Sequence, residues 1–170
     1  MLLKFLSLAL LATPILADGA AVVNAIDSIT NKTLQLNTTV SSWHGDLLGA
    51  LPIVTQSTEL LAVINSGTKT AQKSANFTVI EVITIAGVTE TLVTDVLSAL
   101  DTIQAAKPKF SKLLLDPAIL LNLVLEKEAT DKFQAAVIAK VPAALQSIAE
   151  QLVAPVDPAF SSAITDYEGL

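Results

Sequence analysis

His44 is the only histidine in the 170-residue sequence, and so the only side chain whose ordinary pKa suits proton transfer near neutral pH. A serine hydrolase triad would have to run through it, yet no Gly-x-Ser-x-Gly elbow or oxyanion loop accompanies it. There is no cysteine, which removes thiol nucleophiles and thiolate metal sites, and one histidine cannot build a His-rich zinc site. Acids gather at Glu126, Glu128 and Asp131, but Lys127 and Lys132 are interleaved with them. That reads as a solvated helix face with local ion pairs, each contributing a few tenths of a kcal/mol. A glycosidase needs two carboxylates converging in a cleft, and a calcium loop needs alternating acids around a central glycine. The spacing offers neither. The densest basic run, Lys107-Pro108-Lys109-Phe110-Ser111-Lys112, has two readings. It is either a rim for an acidic lipid head with Phe110 pointing inward, or a set of cations complementing the C-terminal end of the preceding helix. The second needs no ligand. His44 is expected at the surface, at a helix end beside Trp43. The expectation is a chain with no catalytic residues, no metal and no cofactor.

Composition explains what replaces chemistry. Hydrophobic residues make up 52% and charged residues 15%, the reverse of a disordered chain, so a core can form. The apolar content is mostly Ala, Leu, Val and Ile, with aromatics at 4%, which suits helix packing and leaves no platforms for stacked bases. The net charge of -6 and the absence of any arginine also argue against a phosphate backbone as partner.

The N-terminus indicates the compartment. Met1 to Lys4 is a positive start, Phe5 to Ala12 an apolar run, and Pro14-Ile15-Leu16-Ala17 a cleavage site ending on a small residue. Residues 1–17 thus read as a secretory signal peptide, with an apolar run too short to span a bilayer, and 18–170 as one domain. No later stretch has the length of a membrane span without charged or polar interruption. Three glycosylation acceptors, at Asn31, Asn37 and Asn76, agree with secretion. Without disulfides, stability must come from packing, for which about 150 residues suffice.

The apolar spacing is helical throughout. Val22, Ile26, Ile29, Thr33, Leu36, Val40 and Trp43 advance by fours and threes, the seam of one long helix that stops near Gly45, with Asn31 and Asn37 off the seam. Asp46 caps the next segment, which Pro52 interrupts and which resumes through Leu60, Leu61 and Ile64 to end at Asn65-Ser66-Gly67. Lys69 to Ser74 is polar, a frayed helical end or a loop. The second seam is Val79, Val82, Ala86, Thr89, Val93, Val96, Leu100 and Ile103, widened by Ile83, Leu92 and Leu97. A stripe this wide belongs to a central helix touched on several sides, and Lys107-Pro108 marks its end. Its β-branched run favours strand, but the period near 3.6 decides for helix. Asp116-Pro117 and Asp157-Pro158 read as Asp caps followed by proline, starting helices at Ala118 and Ala159. Pro142 begins or kinks a segment with Leu145, Ile148, Ala149 and Leu152 apolar. The fold predicted is an all-α bundle of about five to seven helices, antiparallel where loops are short, with room for an apolar central cavity.

Several of these spacings are also those of a known family. Asp131-Lys132-Phe133, Ala136, Ala139-Lys140-Val141-Pro142, Leu145, Ile148-Ala149, Phe160, Ala163-Ile164 and Tyr167, with Ile26 through Trp43-His44-Gly45 to Leu51-Pro52-Ile53, resemble the fungal hydrophobic surface-binding protein A family, which includes cell-wall galactomannoproteins. The likeness runs over about residues 18 to 168. It implies a secreted helical bundle that adsorbs to hydrophobic solids, in some members recruiting secreted lytic enzymes, and in galactomannoprotein relatives binding fatty acids in an apolar cavity between helices. Some relatives carry a Ser/Thr-rich tail and a lipid-anchor signal. This sequence stops at Asp166-Tyr167-Glu168-Gly169-Leu170, so loose association with the cell wall or release is expected rather than covalent anchoring. The expected lipid-lining positions are Val93, Val96 and Leu100 on the widest seam, Phe110 beyond it, and Leu121, Phe133 and Val137 on the facing C-terminal helices. The alternative is a structural wall mannoprotein or antigen with no small ligand.

Overall fold

The computed structural model describes residues 17–169, so the expected leader lies outside the described residues except for Ala17. Six helices follow in order: α1 (Ala17–Ser42), α2 (Leu47–Lys73), α3 (Val79–Lys112), α4 (Asp116–Ile138), α5 (Ala143–Val153) and α6 (Val156–Glu168). No strand occurs among the described residues, and the β-branched run from Thr78 to Thr94 lies on the cap and first half of α3, as its period requires.

The predicted seam of α1 is buried from Val22 to Trp43. Gly45, at φ +90°, turns the chain out of it, in a region glycine enters without strain. Asp46 then caps α2, its Oδ1 accepting from the Gly49 N–H at 2.7 Å. Thr78 and Glu81 form a capping box at the start of α3, and Glu81 also accepts from the Gly19 N–H at 3.2 Å. These contacts to the Thr78 backbone and hydroxyl, and then to Gly19, hold the Glu81 carboxyl below its ordinary value.

Five of the expected boundaries move. Pro52 does not interrupt α2, nor does Pro108 end α3, which continues to Lys112. Both prolines are exposed, so the carbonyls they leave without a partner can be solvated. Gly67 is not a terminator either. It is buried inside α2, which runs on to Lys73, and a Cβ there would sit 3.1 Å from Cε2 of Phe133. The glycine is there to let a ring approach. Finally, Asp116 and Asp157 are not caps but lie in the first turns of α4 and α6. Asp116 is buried and accepts from the Ser111 hydroxyl at 2.6 Å, while Asp157 pairs with Lys127.

Cross-links give the directions. Gly19 meets Glu81 at the starts of α1 and α3, and Lys109 near the end of α3 reaches the Trp43 carbonyl just past the end of α1. These two helices therefore run parallel and pack along each other, as do α2 and α4, joined midway by Ser57 and Glu126. Of the helices consecutive in sequence, α1 and α2 pack extensively, and they run antiparallel, with Lys32 of one paired to Glu59 of the other. One end of the bundle is closed by Trp43, Phe110 and Tyr167, with ring centroids 4.5 and 6.4 Å apart. The Tyr167 hydroxyl donates to the Ile103 carbonyl at 2.7 Å, and burial raises its pKa.

By length and composition α2 could cross a membrane. Its buried residues, however, recur by threes and fours from Ala50 through Ile53, Ser57, Leu60 and Ile64 to Ala71, against the bundle, and Glu59 on its outer side pairs with Lys32 at 2.6 Å. That is the pattern of a bundle wall.

Candidate functional site

The wide stripe of α3 is covered unevenly. α3 packs against α1 along its length and its second half also meets α6, whereas the other side of its first half faces the last turns of α4 across a gap roofed by α5. The gap is an apolar recess of ≈ 240 Å³. Val82, Ile85, Ala86, Val93 and Val96 of α3 form one wall, Phe133 and Val137 of α4 another, and Leu145, Ile148, Ala149 and Leu152 of α5 the roof. Thr89, Thr130 and Gln134 are its only polar members. Short β-branched side chains and alanines leave space that longer side chains would fill. The roof is lightly held: α5 has no buried residue and is flanked by Pro142 and Pro155.

Of the seven positions expected to line such a site, Val93, Val96, Phe133 and Val137 come together here. Leu100 is 3% exposed and borders a deeper void of ≈ 40 Å³. Phe110 does not join them: it packs between Trp43 and Tyr167 at the closed end of the bundle. Leu121 is 58% exposed on the outer face of α4, because Ile119 and Leu123 take the inward positions. What the sequence reading missed is α5, whose apolar residues signalled a helix but not a roof.

The deeper void shares Leu92, Val96, Thr130 and Phe133 with the recess. Glu126 lines it, and also lines a third void of ≈ 20 Å³ farther along the bundle. This corrects the expectation of a solvated acidic face. Glu128 does pair with Lys132 (2.7 Å) and Asp131 with Lys127 (3.0 Å), but Glu126 is 4% exposed. Its Oε1 accepts from the Ser57 hydroxyl at 2.6 Å, and burial pushes the carboxyl up to about 7. The missed signal was spacing: Ile119, Leu123, Glu126, Ala129 and Phe133 form one inward stripe.

The basic run behaves as helix-end chemistry, with an addition. Lys109 and Lys112 lie in the last turn of α3, but Lys109 Nζ donates to the Trp43 carbonyl at 2.6 Å and Lys107 Nζ to the carbonyls of Asp166 and Gly169. The lysines thus cap the C-terminal ends of α1 and α6 as well as their own helix. His44 is exposed beside Trp43. Among the described residues no three His, Cys, Asp or Glu side chains are placed to hold a metal. Asn31 and Asn76 are exposed, and Asn37 is half-buried with its Nδ2 donating to Ser98 Oγ at 3.1 Å.

Comparison with known proteins agrees with this architecture. The chain is 29% identical over 159 residues to cell wall mannoprotein 1 of Aspergillus fumigatus, covering 93% of this chain and 55% of that protein, so it spans little more than half of the relative's length. Its fold superposes on the crystal structure of Afmp4p in complex with palmitic acid (TM-score 0.85, 23% identity, 88% of this chain and 99% of the other). It superposes equally on ligand binding domain 2 of the Penicillium marneffei MP1 protein complexed with multiple arachidonic acids (TM-score 0.84, 20% identity, 89% and 96%). At these identities the likeness is one of fold. The sequence profile described as hydrophobic surface binding protein A matches residues 19–139, the greater part of the chain, and the chain belongs to that family.

Proposed function

We propose that this chain is a secreted, non-enzymatic protein that binds fatty-acid-like lipids in the recess between α3, α4 and α5, with Val93, Val96, Phe133 and Val137 against the bound chain. The recess carries the reading. Its ≈ 240 Å³ falls just below the range of ~300–1,000 Å³ common for ligand pockets, and a further void of ≈ 40 Å³ adjoins it on the inner side. Each buried methylene contributes about 0.8 kcal/mol, so a dozen give roughly 10 kcal/mol gross. Several kcal/mol of that are lost to association and ordering, which leaves micromolar affinity without any special polar contact. The leader, the sequons and the cell-wall relative support an extracellular or loosely wall-associated location.

The test is native mass spectrometry of the delipidated, deglycosylated protein with long-chain fatty acids. One-to-one adducts that survive detergent competition are expected. Ala86→Phe, which fills the recess from the rigid α3 wall, should abolish them and leave the circular dichroism spectrum unchanged. Adducts of equal strength in Ala86→Phe would remove the recess from consideration.

A second reading, adsorption through the exterior, has its own observation. Leu47, Leu48 and Leu51 on the first turns of α2 are 59%, 77% and 59% exposed. Depletion of the protein from solution by hydrophobic beads, without lipid adducts, would favour it. Neither adducts nor depletion would leave a structural mannoprotein.

A further inference from the structure

Glu126 and Thr33 meet at the inner void, and neither has its hydrogen-bonding capacity filled. Beyond the Ser57 contact, no hydrogen bond reaches the Glu126 carboxyl among the described residues. Thr33, presented from α1 and 2% exposed, has its Oγ1 buried without a partner. Buried polar groups left this way cost stability, and natural cores rarely keep them without a use. Apart from Thr130, the rest of the wall is aliphatic or aromatic. A void of ≈ 40 Å³ holds a group of a few heavy atoms, since a single water needs about 10–15 Å³. The void adjoins the recess, with Leu92, Val96, Thr130 and Phe133 lining both. From Glu126 to Val137 the axis of α4 rises about 16 Å, a span suited to a long acyl chain lying outward toward α5.

Resting on the lipid-binding reading above, we propose that Glu126, with Thr33 beside it, is the headgroup site of the bound amphiphile, and that it admits a fatty acid only as a carboxyl–carboxylate pair sharing one proton. Two bare carboxylates cannot share a dry site. The neutral Glu126 brings the proton, the fatty acid arrives as its carboxylate, and an O–H···O⁻ hydrogen bond forms with no other proton gained or lost. A long-chain alcohol needs no such proton, because its hydroxyl can donate to Glu126 in either form.

Among the described residues no other charge competes. Neither α1, α2, α3 nor α6 places an ionisable side chain on the walls of the two inner voids, and α5 does not reach them. On α4 itself, Lys127 is turned to Asp131 and Asp157, and Asp116 is held by Ser111 at the helix's far end. With its carboxyl raised by burial to about 7, Glu126 holds the proton in mildly acidic water.

The experiment is titration of the delipidated full chain with palmitic acid and with hexadecan-1-ol from about pH 5.5 to about pH 9. Wild type, Glu126→Gln and Thr33→Val are compared. Wild-type affinity for palmitic acid should hold steady up to about pH 7 and fall about tenfold per unit above it, while hexadecan-1-ol shows no such fall. Glu126→Gln, isosteric and able to keep a contact with Ser57, should flatten the palmitic acid profile. Thr33→Val should weaken both ligands several-fold. Aggregation of the fatty acid itself is common to all three proteins, so a difference between their profiles belongs to the site. Parallel palmitic acid profiles in wild type and Glu126→Gln, or the same fall for the alcohol, overturn the proposal and leave the void to water. Absence of binding of either ligand to wild type at any pH overturns the lipid-binding reading along with it.

Discussion

A carboxyl held among aliphatic side chains gives the fold a pH response that its surface acids do not. Folding raises the Glu126 pKa from 4.5 to about 7, so the folded chain binds that proton more tightly than the unfolded one. Stability must then fall as pH climbs from about 4.5 to about 7, and level off above. Glu126→Gln removes the effect. In urea unfolding, the variant should match wild type near pH 4 and exceed it at about pH 8 by something on the order of 3 kcal/mol. Equal stability at both pH values would mean that the carboxyl is solvated in the folded chain. In sequence this residue was hidden by its neighbours. Lys127, Glu128, Asp131 and Lys132 do form the solvated ion pairs that their alternation suggests, and Glu126 was grouped with them although it stands on the inward stripe. Charge pattern and apolar period gave opposite answers at one position, and the period was right.

Among the elements, what the sequence made legible and what it did not divide along physical lines. Seams of full helical period, such as Val22 to Trp43, were read correctly because burial repeats with the helix and leaves its trace in every turn. Helix ends were read less well. Pro52, Gly67 and Pro108 are breakers by local preference, but tertiary contacts outweigh a local cost of about 1–3 kcal/mol when a long helix has a face to bury. Position on the recess follows register: Val93, Val96, Phe133 and Val137 border it as their seams require, whereas Leu121 lies off the inward stripe of α4. Gly87 is a remaining breaker with no such reason. It lies in α3, is exposed, and a Cβ there would meet nothing within 4 Å. Gly87→Ala should stabilise the chain by about 1 kcal/mol, measurable as a higher denaturation midpoint with unchanged slope.

For the molecule as a whole, stability rests on packing alone, since there is no disulfide to constrain the unfolded chain. A ligand that fills the recess joins that packing. At a hundredfold excess over its dissociation constant it adds about 2.7 kcal/mol, which for a domain of this size raises Tm by roughly 5–10 °C. Differential scanning calorimetry with and without palmitic acid checks this, and Ala86→Phe should show no rise. The closed end of the bundle, with Trp43, Phe110 and Tyr167 interlocked and Lys107 and Lys109 across the helix ends, should be the last part to loosen.

The opposite behaviour follows from how α5 is held. A helix with no fully buried residue, held to the core only through half-buried side chains such as Leu145 and Ala149 and flanked by two prolines, can swing away at modest cost. Its opening should therefore be far more frequent than global unfolding. Amide protons of α5 should exchange with deuterium well ahead of those in α1 and α3, and a bound lipid should slow α5 alone. For a lipid held in the proposed recess, residence time and affinity then separate: the walls on α3 and α4 would decide how tightly it is kept, and the eleven residues of α5 how often it can leave.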